Sequence, residues 1–379
     1  MILRHLTIRS FRNLAEVDLD LAPGVTLFHG ANAQGKTNLL EAVHYLATGR
    51  SFRTRADREC LPWGAPAGGV ARIEGRVEGR VARHEIAISL TERAKFAWLD
   101  GKPLARLGDL LGHLLVVLFT PDDIELASGG PALRRRFLDI ALSQTSAAYL
   151  AALQGYSEAL RQRNAALRSP DRWGALAAPE PALDPWAELL LEHGVTLALR
   201  RREAAAAIAE QAAALYASIA PDDGPLALRY RSGAGIAATA EAAEAREQFR
   251  RRLLETAETE RLRGQTIIGP HRDDFGLTIQ EREVRDYASQ GQRRSVALAL
   301  RLAELQWMAL RTGERPVLLV DDLGSELDRD RRGRLLALFG AGAQTLATTA
   351  GDPERLGQMM GADRALEVRA GAVREQPPQ

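Results

Sequence analysis

A strand, a glycine-containing loop and a helix follow one another without a break in the run GVTLFHGANAQGKTNLLEAVHYLA, which occupies positions 24–47. The first part is almost continuously apolar, as expected of a buried strand. The last part has the apolar spacing of an amphipathic helix. Between them lie two glycines five positions apart, followed by Lys36 and Thr37. A buried strand that passes through such a loop into a helix predicts an α/β fold.

The loop satisfies the P-loop pattern through Gly30, Gly35, Lys36 and Thr37. Glycines let successive backbone N–H groups curl around a phosphate, and the start of the helix adds partial positive charge. Lys36 is expected to neutralise the β- and γ-phosphates of ATP, and the Thr37 hydroxyl to bind Mg²⁺. Only three of the 50 basic residues are lysine, so a chance match has odds on the order of one in several hundred. The expected nucleotide-binding residues of the loop are Gly30, Ala31, Asn32, Ala33, Gln34, Gly35, Lys36, Thr37 and Asn38.

A second motif is VLLVDD at 317–322, an apolar strand that ends in two acids. Such a strand can hold Mg²⁺ through Asp321 near the threonine of the P-loop, and it places Asp322 to orient or deprotonate an attacking water. The alternative interpretation is a buried strand with a solvated end. Because the P-loop is present, the metal role is favoured, and we expect Asp322 and Lys36 to be catalytic. An aspartate reaches less far than a glutamate, which predicts slow hydrolysis.

A third motif begins the long amphipathic run SQGQRRSVALALRLAEL, about 30 residues before the acidic strand. Taken alone, it is an ordinary helix N-cap by Ser289. Its order and spacing, with GSELD at 324–328 after the acidic strand, resemble the layout of ATP-binding-cassette (ABC) ATPases. In those enzymes the serine turn of one protomer closes on the γ-phosphate held by another. The resemblance implies that Ser289, Gly291 and Gln292 bind nucleotide across an ATP-dependent homodimer, with Ser289 as a catalytic residue.

Length and composition limit the class of protein. The 379 residues, 46% of them hydrophobic, allow one large domain or two packed ones. No apolar run of about 18 residues occurs, and the N-terminus carries charge too early for a signal peptide, so we expect a cytoplasmic protein with no membrane association. A net charge of +1 means that any DNA-binding face is local. Cys60 is the only cysteine, which excludes an intrachain disulfide and predicts a small core residue.

The periodicity predicts an α/β head interrupted by a helical insertion. Residues 1–122 are mostly β, with a hairpin turn at Asp100-Gly101. Residues 123–263 are rich in Ala, Leu, Glu and Arg at helical spacing. From 264 to 379 the α/β character returns. The strand candidates there are QTIIGP, PVLLVDD, AQTLATTA and RALEVRA, and the helix candidates are about 291–311 and 329–339. We therefore expect lobe I to be 1–122 and 264–379, and lobe II to be 123–263.

Seven stretches together resemble the RecF family of bacterial recombination mediators, which are similar to the heads of Rad50 and of the structural-maintenance-of-chromosomes (SMC) ATPases. They are FRNL, GANAQGKTNLLEAVHYLATGRSFRT, FTPDDIEL, RRRFLDIAL, GPHRDDF, YASQGQRRSVALALRLAEL and LLVDDLGSELDRDRR. They cover both ends of the chain and the start of the insertion. The resemblance implies an ABC-ATPase-like head with an inserted helical second lobe, and it assigns Arg12, in FRNL, to nucleotide binding.

The resemblance also implies a function. ATP would act as a switch for dimerisation and DNA binding, with weak hydrolysis as the release step. The expected partners are single-stranded DNA and gapped or junction duplexes, RecR, RecO, and RecA, which such proteins help to load at gaps during DNA repair, replication-fork maintenance and SOS induction. The alternatives are an SMC- or Rad50-like head and a transport ATPase subunit. A transport subunit is expected to lack the helical insertion and to carry a glutamine sensor loop.

Two sensor positions depart from the ABC pattern. The loop after VVLF reads Thr120-Pro121-Asp122-Asp123, with no glutamine to sense the γ-phosphate. After the last core strand, TTAGD stands where many relatives have a histidine, which leaves Thr348 or Thr349 as the substitute.

Other motifs carry less functional information. HRD at 271–273 imitates a kinase loop without the rest of that set. In the RecF-like interpretation His271 and Arg272 are expected to couple the lobes, and the alternative is that they contact nucleotide or DNA. The position of Asp328 and Asp330 is more typical of a charged helix start than of the acid pair of a nuclease. The arginine runs 134–136, 200–202, 250–252 and 331–332 are expected to be solvated helix faces, some of which could reach DNA phosphates.

Overall fold

The computed structural model describes residues 1–64, 68–169, 183–322 and 342–375. These residues belong to two compact units. Unit 1 comprises Met1–Ile124, Ala214–Gly224 and Ser289–Gln379, and unit 2 comprises Glu125–Ala213 and Pro225–Ala288.

The strands are numbered β1 to β15 and the helices α1 to α9 in chain order. The strands are β1 (Ile2–Phe11), β2 (Leu14–Asp20), β3 (Val25–His29), β4 (Ala71–Glu78), β5 (Arg83–Leu90), β6 (Lys95–Leu99), β7 (Lys102–Pro103), β8 (Val116–Phe119), β9 (Leu226–Arg231), β10 (Asp274–Ile279), β11 (Arg282–Glu283), β12 (Val317–Val320), β13 (Thr345–Thr349), β14 (Arg364–Arg369) and β15 (Ala372–Glu375). The helices are α1 (Lys36–Thr48), α2 (Ile124–Ser128), α3 (Pro131–Thr145), α4 (Ala147–Leu167), α5 (Pro185–Ile219), α6 (Ala242–Arg263), α7 (Val284–Tyr287), α8 (Gln290–Thr312) and α9 (Pro353–Met360).

The nucleotide motifs of unit 1 lie on a six-stranded sheet with the order β15-β14-β3-β13-β12-β8. All neighbouring pairs are parallel except β14 and β15. Every residue of β3, β8, β12 and β13 is buried, which explains the continuously apolar sequences of β8 and β12. The P-loop follows β3 and the two acids follow β12, so the parallel order brings both motifs to the same edge of the sheet.

A second six-stranded sheet of unit 1 is antiparallel, with the order β2-β1-β4-β5-β6-β7. Helix α1 shares one hydrophobic core with both sheets. That core includes Leu40 and Val43 of α1, Ile8 and Ile73 of the antiparallel sheet, and Phe28 of the parallel sheet. The helix that begins at Lys36 is therefore fixed along its length by apolar packing.

Unit 2 combines the helices α3, α4 and α6 with a small antiparallel sheet of order β11-β10-β9. Its apolar core includes Ala187, Leu191 and Phe249. A buried arginine, Arg163, also holds this unit together by ion pairs with Asp184 and Glu260.

Most of the predicted elements of unit 1 are confirmed. The hairpin turn falls at Asp100-Gly101, where both residues have positive φ, and Cys60 is buried. The helix expected at about 291–311 is α8. The helix expected at 329–339, the GSELD stretch and the acids Asp328 and Asp330 lie outside the described residues.

The expected boundaries of the insertion differ from the structure in three ways. Residues Ala214–Gly224, expected in the insertion, belong to unit 1. Strand β9 lies inside the stretch expected to be helical, and it pairs with β10 over six residue pairs from Leu226↔Ile279 to Arg231↔Asp274. Residues 264–288, expected in lobe I, consequently belong to unit 2. The strand predicted for QTIIGP is also wrong, because Thr266 and Ile267 donate their N–H groups to side chains and not to a neighbouring strand.

Among the described residues, no helix has both the length and the apolar character needed to cross a membrane.

Candidate nucleotide-binding site

The two glycines of the P-loop are both required by the path of the chain. Gly30 has φ +149° and Gly35 has φ +112°, in the region that side chains disfavour. A Cβ at Gly30 would lie 2.3 Å from the carbonyl oxygen of Val368. A Cβ at Gly35 would lie 2.7 Å from Oδ1 of Asn13. The loop therefore packs too closely against its neighbours for any other residue at these positions.

Gln34 fixes the loop to the turn after β14. Its side-chain oxygen accepts a hydrogen bond from the N–H of Ala370 at 2.7 Å, and its carbonyl accepts one from the N–H of Gly371 at 2.9 Å. The amide of Asn13 donates to the same carbonyl at 3.2 Å. The side chain of Gln34 therefore anchors the loop. Gln34 can then contact a phosphate through its backbone N–H.

Lys36 is 8% exposed and reaches back across the loop, where Nζ donates to the carbonyls of Gly30 and Ala31 at 2.8 Å each. Burial lowers the pKa of Lys36, and the negative charges of Asp322 and Asp321 oppose this shift. The ammonium group is therefore held at the centre of the loop, close to both acids.

The structure brings the two principal motifs into direct contact. The Thr37 hydroxyl donates to Oδ1 of Asp321 at 2.9 Å. The Thr348 hydroxyl donates to the same oxygen at 2.7 Å and accepts from the N–H of Asp322 at 2.9 Å. Burial raises the pKa of Asp321, and the hydrogen bonds from Thr348 and Thr37 oppose that rise. Of the two candidates for the sensor position, Thr348 contacts the two acids, whereas the hydroxyl of Thr349 accepts from the N–H of Gly351.

The donor set fits Mg²⁺. Thr37 and Asp321 supply a hydroxyl and a carboxylate oxygen side by side, and Mg²⁺ prefers oxygen ligands and is held by one or two carboxylates together with substrate phosphates. Within the described residues, no cluster of three or more His, Cys, Asp or Glu side chains could form an all-protein metal cage. Magnesium supplies charge that neutralises phosphate oxygens when bound.

Arg12 lies beside the P-loop but is committed to a buried carboxylate. Its Nε and Nη2 donate to Glu41 at 3.0 and 2.7 Å, and Nη1 donates to the carbonyl of Glu59. Glu41 is fully buried on α1, one turn after Thr37. Through these bonds Arg12 supports helix α1. Its contact with nucleotide stays a prediction.

Sequence reasoning missed Arg53. Its guanidinium donates to Oδ1 of Asn38 at 2.7 Å, and its charge acts to lower the pKa of Asp321. A cation therefore stands near the proposed metal ligand, outside the P-loop itself. The only signal in the sequence is its place in SFRT, which follows the P-loop helix.

The serine turn is well formed and exposed. Ser289 caps α8 in a capping box, in which its hydroxyl accepts from the N–H of Gln292 at 3.2 Å and the Gln292 side chain accepts from the N–H of Ser289 at 2.9 Å. In the described part of the chain, no hydrogen bond joins Ser289, Gly291 or Gln292 to the P-loop. One chain thus presents a helix N-terminus that its own P-loop does not use.

The loop at 120–123, which lacks a glutamine, is held by hydrogen bonds within the loop and from α8. Thr120 and Asp123 form a capping box, and Arg301 of α8 donates through Nε and Nη2 to Oδ1 of Asp123 at 3.1 and 2.7 Å. The loop next to β8 is thereby linked to the helix that begins with the serine turn.

His271 makes its bonds inside unit 2. It bonds to the Tyr156 hydroxyl at 2.7 Å and to the carbonyl of Thr266 at 3.2 Å. Burial lowers the pKa of His271 to about 4. The side chain is therefore neutral at pH 7 and has a packing role in this unit.

Comparison with known proteins gives close relatives over the whole chain. The model of the RecF/RecN/SMC N-terminal domain matches residues 2–370. A DNA replication and repair protein RecF from Symbiobacterium thermophilum is 39% identical over 98% of each chain. The protein of the same description from Roseiflexus castenholzii is 40% identical over 93% of this chain and 94% of its own.

Solved structures are also similar to this chain. The structure of the recombination mediator protein RecF-ATP in the RecFOR pathway superimposes with a TM-score of 0.89 at 31% identity, covering 99% of this chain and 97% of that one. An Smc head bound to the C-terminal winged-helix domain of ScpA has a TM-score of 0.55 at 15% identity, which shows a shared fold alone. The α/β head with its P-loop, acidic strand and serine turn, together with these relatives, shows that the chain belongs to the RecF family within the RecF/RecN/SMC N-terminal domain proteins.

Proposed function

We propose that this protein is an ATP-switched, DNA-binding recombination mediator. The observation that carries the proposal is the contact between Thr37 and Asp321, with Lys36 held beside them. This arrangement provides a phosphate cradle and a place for Mg²⁺ at one edge of the sheet. A relative of known structure is described as a recombination mediator with ATP in the RecFOR pathway, which supports ATP as the nucleotide.

The switch is a homodimer in which each site is completed by the partner. The exposed turn at Ser289 offers N–H groups and the partial positive charge of a helix N-terminus, and nothing in its own P-loop uses them. In a two-fold dimer, the same turn on each chain would close on the γ-phosphate bound by the other. ATP then stabilises the dimer because its phosphates contact both chains.

Hydrolysis is the release step. In this proposal Asp322, next to the metal ligand Asp321, orients the attacking water. The N–H of Asp322 donates to the Thr348 hydroxyl. Hydrolysis is expected to be slow because an aspartate side chain is shorter than a glutamate and reaches less far toward the water. Loss of the γ-phosphate removes the group that joins the two chains and lets the dimer open.

The protein binds DNA in this proposal, with a preference for single-stranded regions and gapped or junction duplexes. By their shared family, RecR and RecO are the proposed partners and RecA the protein loaded at gaps. Roles in replication-fork maintenance and in SOS induction follow from that loading. The protein acts in the cytoplasm in this proposal.

The alternative is another kind of ABC ATPase, such as a transport subunit or an SMC-like head. The sensor loop at 120–123 has no glutamine, and Asp123 is used in an ion pair with Arg301. The similarity to Smc heads is at the level of fold, whereas RecF relatives match over the whole chain at 39–40% identity. Both observations favour the recombination mediator.

The test is the ATP dependence of DNA affinity. Binding of a labelled gapped duplex is measured by fluorescence anisotropy with ATP, with ADP and without nucleotide, at several salt concentrations. We expect tight binding with ATP only, and an affinity that falls with salt because arginines contact phosphate. Equal affinity in all three conditions would remove the switch from the proposal.

A further inference from the structure

A short segment of unit 1, Arg50–Trp63, is unusually basic on its surface. It carries four arginines in a chain whose net charge is only +1. Arg50, Arg55, Arg58 and Trp63 are all exposed. The fourth arginine, Arg53, bonds to Asn38 and belongs to the nucleotide site already described.

The backbone of this segment is held firmly. The Ser51 hydroxyl donates to the buried Glu41 and accepts from the N–H groups of Arg53 and Thr54 at 2.9 and 3.0 Å. The Thr54 hydroxyl donates to Glu59 at 2.6 Å and accepts from the N–H of Ala56. These bonds fix the path of the chain between Ser51 and Glu59, so that binding through Arg55 and Arg58 would cost little ordering of the backbone.

The acids of the segment are engaged elsewhere. Asp57 forms an ion pair with Lys95 at 2.8 Å and accepts from the Tyr45 hydroxyl at 2.7 Å. Glu59 accepts from Thr54. Among the described residues, Arg50, Arg55 and Arg58 form no ion pair, and all three are exposed.

Trp63 is the second independent observation. Its side chain is 100% exposed, in the same segment as the three arginines. A large aromatic ring in water gains nothing for folding, and such rings at basic surfaces are used to stack on bases.

We propose that Arg50, Arg55, Arg58 and Trp63 form a contact site for single-stranded DNA, with the arginines on phosphates and the indole ring stacked on a base. Stacking requires a base free of its helical neighbours, which a single strand provides and an intact duplex does not. Three exposed arginines without ion pairs among the described residues match the phosphate backbone. The inference rests on the proposed function, because it names where the DNA of that function is held.

The segment is also tied to the nucleotide site. Ser51 bonds to Glu41 on α1, the helix that begins with Lys36 and Thr37. Arg53 bonds to Asn38 of the same helix. A shift of α1 on nucleotide binding would therefore move this contact site with it.

The test compares an oligo-dT strand with an abasic strand of the same length, using the full chain with ATP and fluorescence anisotropy. We expect the parent to bind oligo-dT about tenfold more tightly, since stacking on one base is worth that much. Trp63→Ala should abolish the difference, and Trp63→Phe should keep part of it. Arg55→Gln with Arg58→Gln should reduce the salt slope by about 1.4 and keep the preference for bases.

Matched controls are Phe96→Ala, which removes another exposed aromatic ring of unit 1, and Arg106→Gln, which removes an exposed arginine there. Neither should change the base preference. If Trp63→Ala binds both strands like the parent, the contact site is wrong while the proposed function stands. If Trp63→Ala instead loses ATP-dependent dimerisation in light scattering, the segment contacts a second chain and the inference is overturned. If the parent binds no DNA with ATP, the proposed function itself fails.

Discussion

Thr348→Val tests whether the hydroxyl beside the proposed metal ligand sets the strength of Mg²⁺ binding. Thr348 is 1% exposed, and valine fills nearly the same volume. The change removes the donor to Asp321 and the acceptor for the N–H of Asp322. A hydrogen bond to a charged group is worth about 1.5–3 kcal/mol, so the pKa of Asp321 should rise by about one to two units.

A carboxylate must lose its proton to bind a metal, and a rise in its pKa therefore weakens Mg²⁺ binding where the pH lies near or below that pKa. Loss of such a supporting contact typically lowers metal affinity by about 10–100-fold. We expect the Mg²⁺ concentration that half-saturates ATP hydrolysis to rise by about that factor, and its pH dependence to move to higher pH. A titration of steady-state hydrolysis with Mg²⁺ at several pH values measures both.

Thr349→Val is the matched control, because Thr349 is equally buried and its hydroxyl accepts from the N–H of Gly351 instead of bonding to Asp321 or Asp322. It should leave the Mg²⁺ dependence unchanged. Binding of a fluorescent ATP analogue without metal should be similar in both variants and the parent. An unaltered Mg²⁺ dependence in Thr348→Val would refute the assignment of Asp321 as the metal ligand supported by Thr348.

Three other variants test separate parts of the account. Lys36→Arg should reduce nucleotide binding or turnover at least tenfold, measured with a fluorescent ATP analogue. The reason is that a planar guanidinium does not replace the compact ammonium buried between Gly30 and Ala31. Normal hydrolysis would contradict the P-loop role. Asp322→Asn should bind ATP and accumulate the dimer while hydrolysis is lost, and normal turnover would exclude Asp322 from orienting water. The folded pKa of His271, about 4, lies below the usual 6.5, so stability should be lost as pH falls from about 6.5 to 4, by on the order of 3 kcal/mol. His271→Gln should remove that loss in urea unfolding of the chain, and an unchanged pH profile would contradict the buried neutral imidazole.

The parts of the site that could be predicted are those encoded locally. The P-loop is a continuous stretch whose glycines, lysine and threonine act through adjacent atoms, and the structure gives both glycines positive φ as such a loop requires. The acidic strand was assigned from its apolar run and its two terminal carboxylates. Its contact with Thr37 followed because parallel strands end at one edge of the sheet.

The contributions of Thr348 and Arg53 could not be predicted, because they depend on packing between distant elements. Thr348 reaches Asp321 only because β13 lies next to β12 in the sheet, an order that the sequence does not state. The sequence left Thr348 and Thr349 as equal candidates for the sensor position, and the structure brings Thr348 into contact with Asp321. Arg53 is positioned by Glu41 and Asn38 from a loop that has no regular period.

The failed strand prediction at QTIIGP and the missed strand β9 have different causes. Short apolar runs do not distinguish a strand from a buried loop. Thr266 and Ile267 bond to the side chains of Asn164 and Glu260, and Gly269 then adopts φ +128°, so the run is a buried loop. Strand β9 lies in a stretch whose composition is dominated by helix-forming residues, and it forms because β10 supplies a partner.

The molar mass in solution, measured by light scattering, tests the central claim that ATP joins two chains through Ser289. The parent should have the mass of one 41.3 kDa chain without nucleotide and about twice that mass with ATP and Mg²⁺. Ser289→Arg should bind ATP at its own P-loop and keep the mass of one chain, because a bulky cation blocks closure of the turn on the partner's nucleotide. A parent whose mass is the same with and without ATP, or a Ser289→Arg variant that dimerises like the parent, would contradict the account.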